Sequence, residues 1–436
     1  MQQQSPSWVR YLVLGWLCLA ATIAYVQRNS IGVAESTIRA DLGLSEDDMG
    51  IVLGAFFATY AIFQIPSGWL ADRWGTRRSL AVFVLFFSAS CGTLALASGA
   101  AVLVFVRLNM GATQAGIFPA STTSIGKWFP TSRWAVANGA LSGFMQLGNA
   151  LGVMITGFLL DKVGVPWRWL FVWYALPGLA WAAWFFVWFR DRPAEHAAVN
   201  HAELSLIQSG RPAESHAADA EASHHERTPW GTLLANPAMA WICAQQFCRA
   251  AAHMFFASWF ATFLQEARGV SLAEAGVLTS LPLWATMAGS LAGGWISDWI
   301  LAFTGSRRAS RQWFSAASVL ICAALILASY WVANAWLAVA LISAGSCVAA
   351  FAGPCSYALT IDMGGKHVAS VFSTMNMWGN IGATVFPLVV PLVRKYTGTW
   401  DAVLFLFAGI YLVAAVCWLP FNAERSLLDD RGEAPG

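Results

Sequence analysis

Charge is what this sequence has least of. Lys, Arg, Asp and Glu make up 11% of its 436 residues, against roughly 25% in a soluble domain. With 58% hydrophobic residues and a mean hydropathy of +0.57, the chain has too little polar surface to meet water on all sides, which excludes an aqueous globular enzyme. A G-x-x-x-x-G-K-[ST] loop is also missing, so nucleotide hydrolysis is not the energy source. The apolar runs lack paired carboxylates, a nucleophile with a base, or a ligand cluster, so no reaction and no cofactor is expected. The eight cysteines lie inside apolar segments without zinc-type spacing and read as free packing thiols. A formal charge of +2 gives no footprint for nucleic acid. No cleavable signal is expected, because Met1 to Arg10 is short and polar and the apolar run after it exceeds the ~15-residue limit of a signal core.

What is present is a series of long apolar segments. A membrane-crossing helix needs about 20 such residues. Twelve candidates follow, at 8–34, 48–71, 79–98, 101–126, 134–160, 168–190, 238–265, 272–299, 312–332, 335–361, 368–393 and 401–421. An all-α membrane protein is predicted, with six-helix bundles at 1–190 and 238–436 and a cytoplasmic linker at 191–237. With the amino terminus inside, 16 of the 25 Lys and Arg fall on the cytoplasmic side, six on the outside and three within spans. Both termini are therefore expected in the cytoplasm. The linker carries five of the seven histidines, including His224-His225, but none of the spacings makes a recognised ligand set, and its composition is that of a solvated loop.

The chain repeats itself. Ser67-Gly68-Trp69-Leu70-Ala71-Asp72 returns as Gly293-Gly294-Trp295-Ile296-Ser297-Asp298, each time followed by a basic cluster. Gly148-Asn149 and Gly379-Asn380 match, as do Trp167 and Trp400. Equivalent segments in the same order imply two parallel repeats related by an axis along the membrane normal, with a site between them. Gly68, Asp72, Arg73, Gly75, Arg77 and Arg78 form a G-x-x-x-D-R-x-G-x-R-R pattern between the second and third spans. This resembles the signature of the major facilitator superfamily of secondary transporters. The resemblance implies two pseudo-symmetric six-helix bundles, with this loop and Asp298 as gating elements.

Charged groups inside spans cost about 2.5–3.5 kcal/mol each on insertion scales, so each needs a reason. There are three, Arg28, Arg107 and Arg249. Arg28 lies deep in the first span, where a guanidinium offers two parallel donors to a carboxylate; the bland alternative is an arginine satisfied by helix carbonyls. Arg107, Gly111 and Gln114 share a helix face, and Arg107 reads as a structural or coupling residue. Gln245, Arg249 and His253 make a polar stripe on the seventh span. Arg249 is a second anion-binding candidate or a cation paired at a helix interface, and His253 can take a proton near neutral pH.

Tyr25-Val26-Gln27-Arg28-Asn29, Tyr60 with Gln64-Ile65-Pro66, Trp128-Phe129-Pro130, Trp167-Arg168 and Asn376 to Pro387 resemble the anion:cation symporter family, carriers of sugar acids and other carboxylates. The resemblance implies that Arg28 contacts a carboxylate, that Tyr25 and Tyr60 line the site, and that Tyr357 and Asn376 meet sugar hydroxyls; Gln27, Gln114, Arg249 and Asn380 join them as candidate substrate-binding residues. Proton-coupled relatives carry acids where this chain has Gln27 and Gln114. Amides cannot titrate, so the usual coupling does not carry over. The expectation is secondary transport of small organic anions by alternating access, with proton-linked symport through His253, anion exchange and facilitated diffusion all open. A transporter-like ligand sensor is the alternative from another class. The implied partners are a small organic anion, H⁺ and the lipid bilayer, for a monomer in the inner or plasma membrane.

Overall fold

The protein's structure, a computed structural model, describes residues 5–209, 228–270 and 272–427. Among these residues the regular structure is helical throughout. Eight helical runs are long and apolar enough to cross a membrane, and a ninth does so as a bent pair, Ile51–Ile62 with Gln64–Trp74 at 50°. One of the eight, Ala335–Thr397, is 63 residues long. It holds two crossings, Ala335–Ala350 with Ala352–Gly364 and then Val368–Thr397. Helices Pro237–Ser258, Phe260–Arg268 and Leu272–Thr304 occupy the places expected for the seventh and eighth crossings. The twelve expected spans are thereby accounted for. His216, His224 and His225 lie outside the described residues.

Many large apolar side chains face outward, among them Phe303 at 82% and Leu96 at 78% exposure. In water such a surface would aggregate; in hydrocarbon it is the solvent-matched face. Helix starts are set locally. Asn236 and Asn334 accept from the backbone N–H of Ala238 and Leu337, and Ser45 with Asp48 forms a reciprocal capping box. The second span bends at Phe63, where Pro66 follows in the first turn of the next helix and supplies no N–H to continue the ladder.

The chain forms two compact units. Unit 1 comprises Met1–Thr131, Phe144–Thr228 and Lys366–Ser373; unit 2 comprises Ser132–Gly143, Pro229–Gly365 and Thr374–Gly436. Each thus includes a short segment drawn from the other half of the sequence. The repeated pairs are built alike within their units. A Cβ on Gly148 would lie 2.6 Å from the Thr22 carbonyl oxygen, and one on Gly379 would lie 3.0 Å from Gln246 Cγ. Glycine there lets the fifth and eleventh spans approach the first and seventh closely. At the outer ends, Trp167 Nε1 donates to Asp41 at 3.1 Å and Trp400 Nε1 to Glu266 at 3.0 Å. Hydrogen bonds from Arg168 and Trp167 hold the Asp41 carboxyl below the usual carboxylate range.

Two arginine sites and two carboxylate clamps

Arg28 sits on Val9–Val33, half-buried, inside a box of aromatic rings. Its guanidinium carbon lies 4.8 Å from the ring centre of Phe56, 4.9 Å from Phe57, and 5.2 Å from both Tyr25 and Tyr60. Ring faces stabilise a cation without cancelling its charge. Arg107, on Ala100–Gln114, is 2% exposed and covers Phe56 at 4.5 Å. Its guanidinium donates to the Arg28 carbonyl oxygen at 3.4 Å, while its Nε has no partner among the described residues. In the first six spans acids stand only near helix ends: Glu46 to Asp48 and Asp72 at the second, Asp161 in the last turn of the fifth, and Glu35 just past the first. Neither arginine is neutralised at mid-depth by a carboxylate from these spans.

Gln27 and Gln114 part company here. Gln27 is fully buried, donating to the Tyr174 carbonyl at 2.6 Å and accepting from Ser88 at 3.2 Å. One residue of helix is about 100° of rotation, so Gln27 faces the bundle interior while Arg28 faces elsewhere. Gln114 is also buried, yet both of its amide atoms lack partners among the described residues. Sequence reasoning passed over an amide chain beside Arg28. Asn29 donates to Asn149, which donates to Gln146 at 2.6 Å. All three are half-buried, as groups that read hydroxyls must be. Asn29 directly follows Arg28, and Asn149 follows the close-contact Gly148; that adjacency was the available signal.

In unit 2, Arg249 on Pro237–Ser258 donates through Nε and a terminal nitrogen to Gln246 Oε1, at 3.3 and 2.9 Å. Tyr357 stands 6.0 Å from its guanidinium carbon. The partner is Gln246 and not Gln245, which is fully buried and bonded to Ser356 and Met375. His253, one turn past Arg249, meets Phe256 edge-on at 6.2 Å. Asn376 and Asn380 are half-buried on Val368–Thr397, with Asn380 donating to the Asn376 carbonyl at 3.0 Å. Gly379 against Gln246 brings this asparagine pair beside the Arg249 cluster.

The repeated loop behaves differently. Asp72 accepts from the backbone N–H of Ala369 at 3.1 Å and of Ser370 at 2.9 Å, and from the Ser370 hydroxyl at 2.7 Å. These donors open Val368–Thr397, so the carboxylate caps a helix start. Asp298 likewise accepts from Ala135 at 3.3 Å and Val136 at 2.7 Å, where Trp134–Phe158 begins. Asp298 is also bonded to Arg311 at 2.8 Å, and Asp362 faces Arg311 at 3.5 Å and Arg307 at 3.3 Å. In the first copy, Gly75 has φ +81° and a Cβ there would lie 2.7 Å from the Asp191 carboxylate, which accepts from Thr76 and from the Arg77 backbone. Arg77 turns its side chain to the Phe186 carbonyl at 2.7 Å, Arg73 covers Trp69 at 5.2 Å, and Arg78 is exposed. Asp191 and Asp362 were not singled out from sequence, since acids at helix ends are common and neither lies in the motif.

Among the described residues no group of three or more His, Cys, Asp or Glu could hold a metal ion.

A family model for the Major Facilitator Superfamily matches residues 17–387. A Cupriavidus necator protein described as a probable sulfoacetate transporter is 29% identical, covering 95% of this chain and 94% of its own. A probable galactarate/D-glucarate transporter of Bacillus subtilis is 28% identical over 94% and 90%, and a hexuronate transporter of the same species 27% identical over 94% of each. Among solved structures, a proton:xylose symporter aligns with TM-score 0.69 at 15% identity, over 93% of this chain and 94% of its own. A fucose:proton symporter aligns with TM-score 0.67 at 17%, over 94% and 98%. At such identity the structures speak for the fold alone.

Proposed function

The chain belongs to the Major Facilitator Superfamily, and on that premise we propose that it is a secondary transporter whose substrates are small organic anions, with sugar acids and short sulfonates as the first classes to test. The observation that carries this reading is Arg28, half-buried inside the first span, ringed by four aromatic faces and with no carboxylate paired to it among the described residues. A permanent cation in that setting is stable only when something anionic meets it. The substrate carboxylate or sulfonate supplies that charge through a bidentate contact. The Asn29–Asn149–Gln146 chain is assigned to hydroxyl groups, and Tyr25 and Tyr60 to the walls. Within unit 2, Arg249 is a second candidate anion-binding group, held by Gln246, with Tyr357, Asn376 and Asn380 around it. Arg107 sets the field behind Arg28, and Gln27 acts as a packing amide.

The loop residues Gly68, Asp72, Arg73, Gly75, Arg77 and Arg78, together with Asp298, are assigned to gating, because each carboxylate holds a helix start contributed by a distant part of the sequence. The functional division is taken as 1–190, a cytoplasmic linker at 191–237, and 238–436. Both termini are assigned to the cytoplasm on the strength of the Lys and Arg distribution, and the protein is taken as a monomer of the inner or plasma membrane.

The test is a thermal-shift screen of the detergent-purified protein against D-glucarate, D-glucuronate, D-galactonate, sulfoacetate and benzoate, followed by uptake of the stabilising anion into proteoliposomes. Stabilisation by at least one anion, with saturable uptake, is expected. Binding without uptake makes the protein a sensor and overturns the proposal.

A further inference from the structure

We infer that the protein is an obligatory exchanger, in which one organic anion must leave before another enters and the empty site does not reorient. The inference rests on the transport reading above and concerns its coupling. Arg28 and Arg107 lie within 5 Å of the same ring centre, that of Phe56. Guanidinium groups do not lose their protons in proteins, so this double charge is permanent. The groups against it are Phe57, Tyr25 and Tyr60, with the Asn29–Asn149–Gln146 chain following Arg28 in sequence, and none of them is a carboxylate. The acid nearest to Arg28 along the chain, Glu35, lies beyond the end of the first span and is paired with Arg39 at 3.0 Å.

A carrier that works by alternating access passes through a state closed to water on both sides. Taking two unpaired cations through such a state carries a heavy desolvation cost, which a bound anion offsets. A proton-coupled carrier removes the problem with an acid that ionises when the site is empty and pairs with the arginine. Among the described residues no acid pairs with Arg28 or Arg107; Gln27 is committed to Tyr174 and Ser88, and Gln114 is an amide. His253, the one histidine within the spans, can add charge but cannot cancel it, and it stands one turn from Arg249 against Phe256. The loaded site therefore reorients in both directions and the empty site stays where it is. Gln114 marks where the missing charge would go, because its amide is buried, unpartnered, and on the same helix as Arg107.

The experiment uses full-length protein in proteoliposomes and labelled D-glucarate, or whichever anion of the panel binds. Vesicles are loaded with unlabelled anion or left empty, each with and without an inward pH gradient. Uptake into loaded vesicles at least tenfold faster than into empty ones, with no accumulation driven by the gradient, is the expected result. Gln114→Glu should raise uptake into empty vesicles at least tenfold over wild type, because a carboxylate there lets the empty site close. Empty wild-type vesicles that fill within twofold of the loaded rate, or that concentrate the anion on a pH gradient, overturn the inference and leave transport standing. Uptake in neither arm overturns the transport reading and the inference with it.

Discussion

Arg311 and Arg28 are the same residue in opposite settings. Arg311 is fully buried at the end of the second signature loop, 2.8 Å from Asp298 and 3.5 Å from Asp362. Arg28 is half-open within the last third of the first span and has aromatic rings against it instead of acids. Where this protein needs a cation for its architecture, it builds the counter-charge into the chain. On the reading proposed above, the cation meant for the substrate has its counter-charge left out, and the aromatic faces hold the guanidinium in place meanwhile. The first signature loop lies between these cases, since Asp72 is bound by backbone and hydroxyl donors, with the charge of Lys127 nearby.

The largest effect should come from breaking the built-in pair. Arg311→Ala leaves buried Asp298 without a cation and Asp362 with Arg307 alone, and removing one partner of a buried pair typically costs about 3–5 kcal/mol. Thermal unfolding in detergent should show the loss, along with poor yield. Arg28→Ala strands nothing and also relieves its repulsion with Arg107, so its stability should change by less than about 1 kcal/mol while anion-induced stabilisation disappears. Equal destabilisation by the two variants would erase the distinction.

Asp72→Asn tests the intermediate case. The amide keeps one acceptor for the start of Val368–Thr397 but loses the charge-assisted bonds, each worth about 1.5–3 kcal/mol at most. Turnover in proteoliposomes should slow several-fold, with anion affinity within a factor of about two of wild type. A tenfold loss of affinity would move Asp72 from gate to site.

The smallest effect lies outside the spans. His196 packs edge-on between Trp128 and Trp188, at 5.7 and 4.8 Å. Burial, then the nearby Arg190, lowers its pKa from the ordinary histidine value, against a smaller pull from Glu203. The folded state therefore favours the neutral ring, so stability is complete above about pH 6.5 and falls as pH drops through the lowered value. His196→Gln should flatten that part of the pH–stability curve. An unchanged curve would show that His196 does not contribute.

The sequence displayed the repeated loop openly, because Asp72 and Asp298 each follow a Gly-Trp pair at the same spacing; that both cap a helix start is what the structure adds. Arg28 was legible for a simpler reason, as a charge within an apolar run. Helix rotation was harder to read. Gln27 sits next to Arg28 in sequence but turns into the bundle, and Gln246 took the place expected for Gln245. A residue of helix rotates the side chain by about 100°, so a face read by eye is easily one position off. The break at Phe63 had a local marker in Pro66, whereas those at Trp259 and Phe351 and the acids Asp191 and Asp362 were hidden because tertiary packing, not local pattern, gives them their role.

The account's central claim is that Arg28 grips the anion by its forked donors, and the direct measurement is binding by Arg28→Lys. Lysine keeps the charge but offers a single point contact. Calorimetric titration with the best anion of the panel should show affinity at least tenfold weaker than wild type, about 1.4 kcal/mol, while the variant remains folded. Wild-type affinity in the lysine variant would remove Arg28 from the binding site and contradict the account.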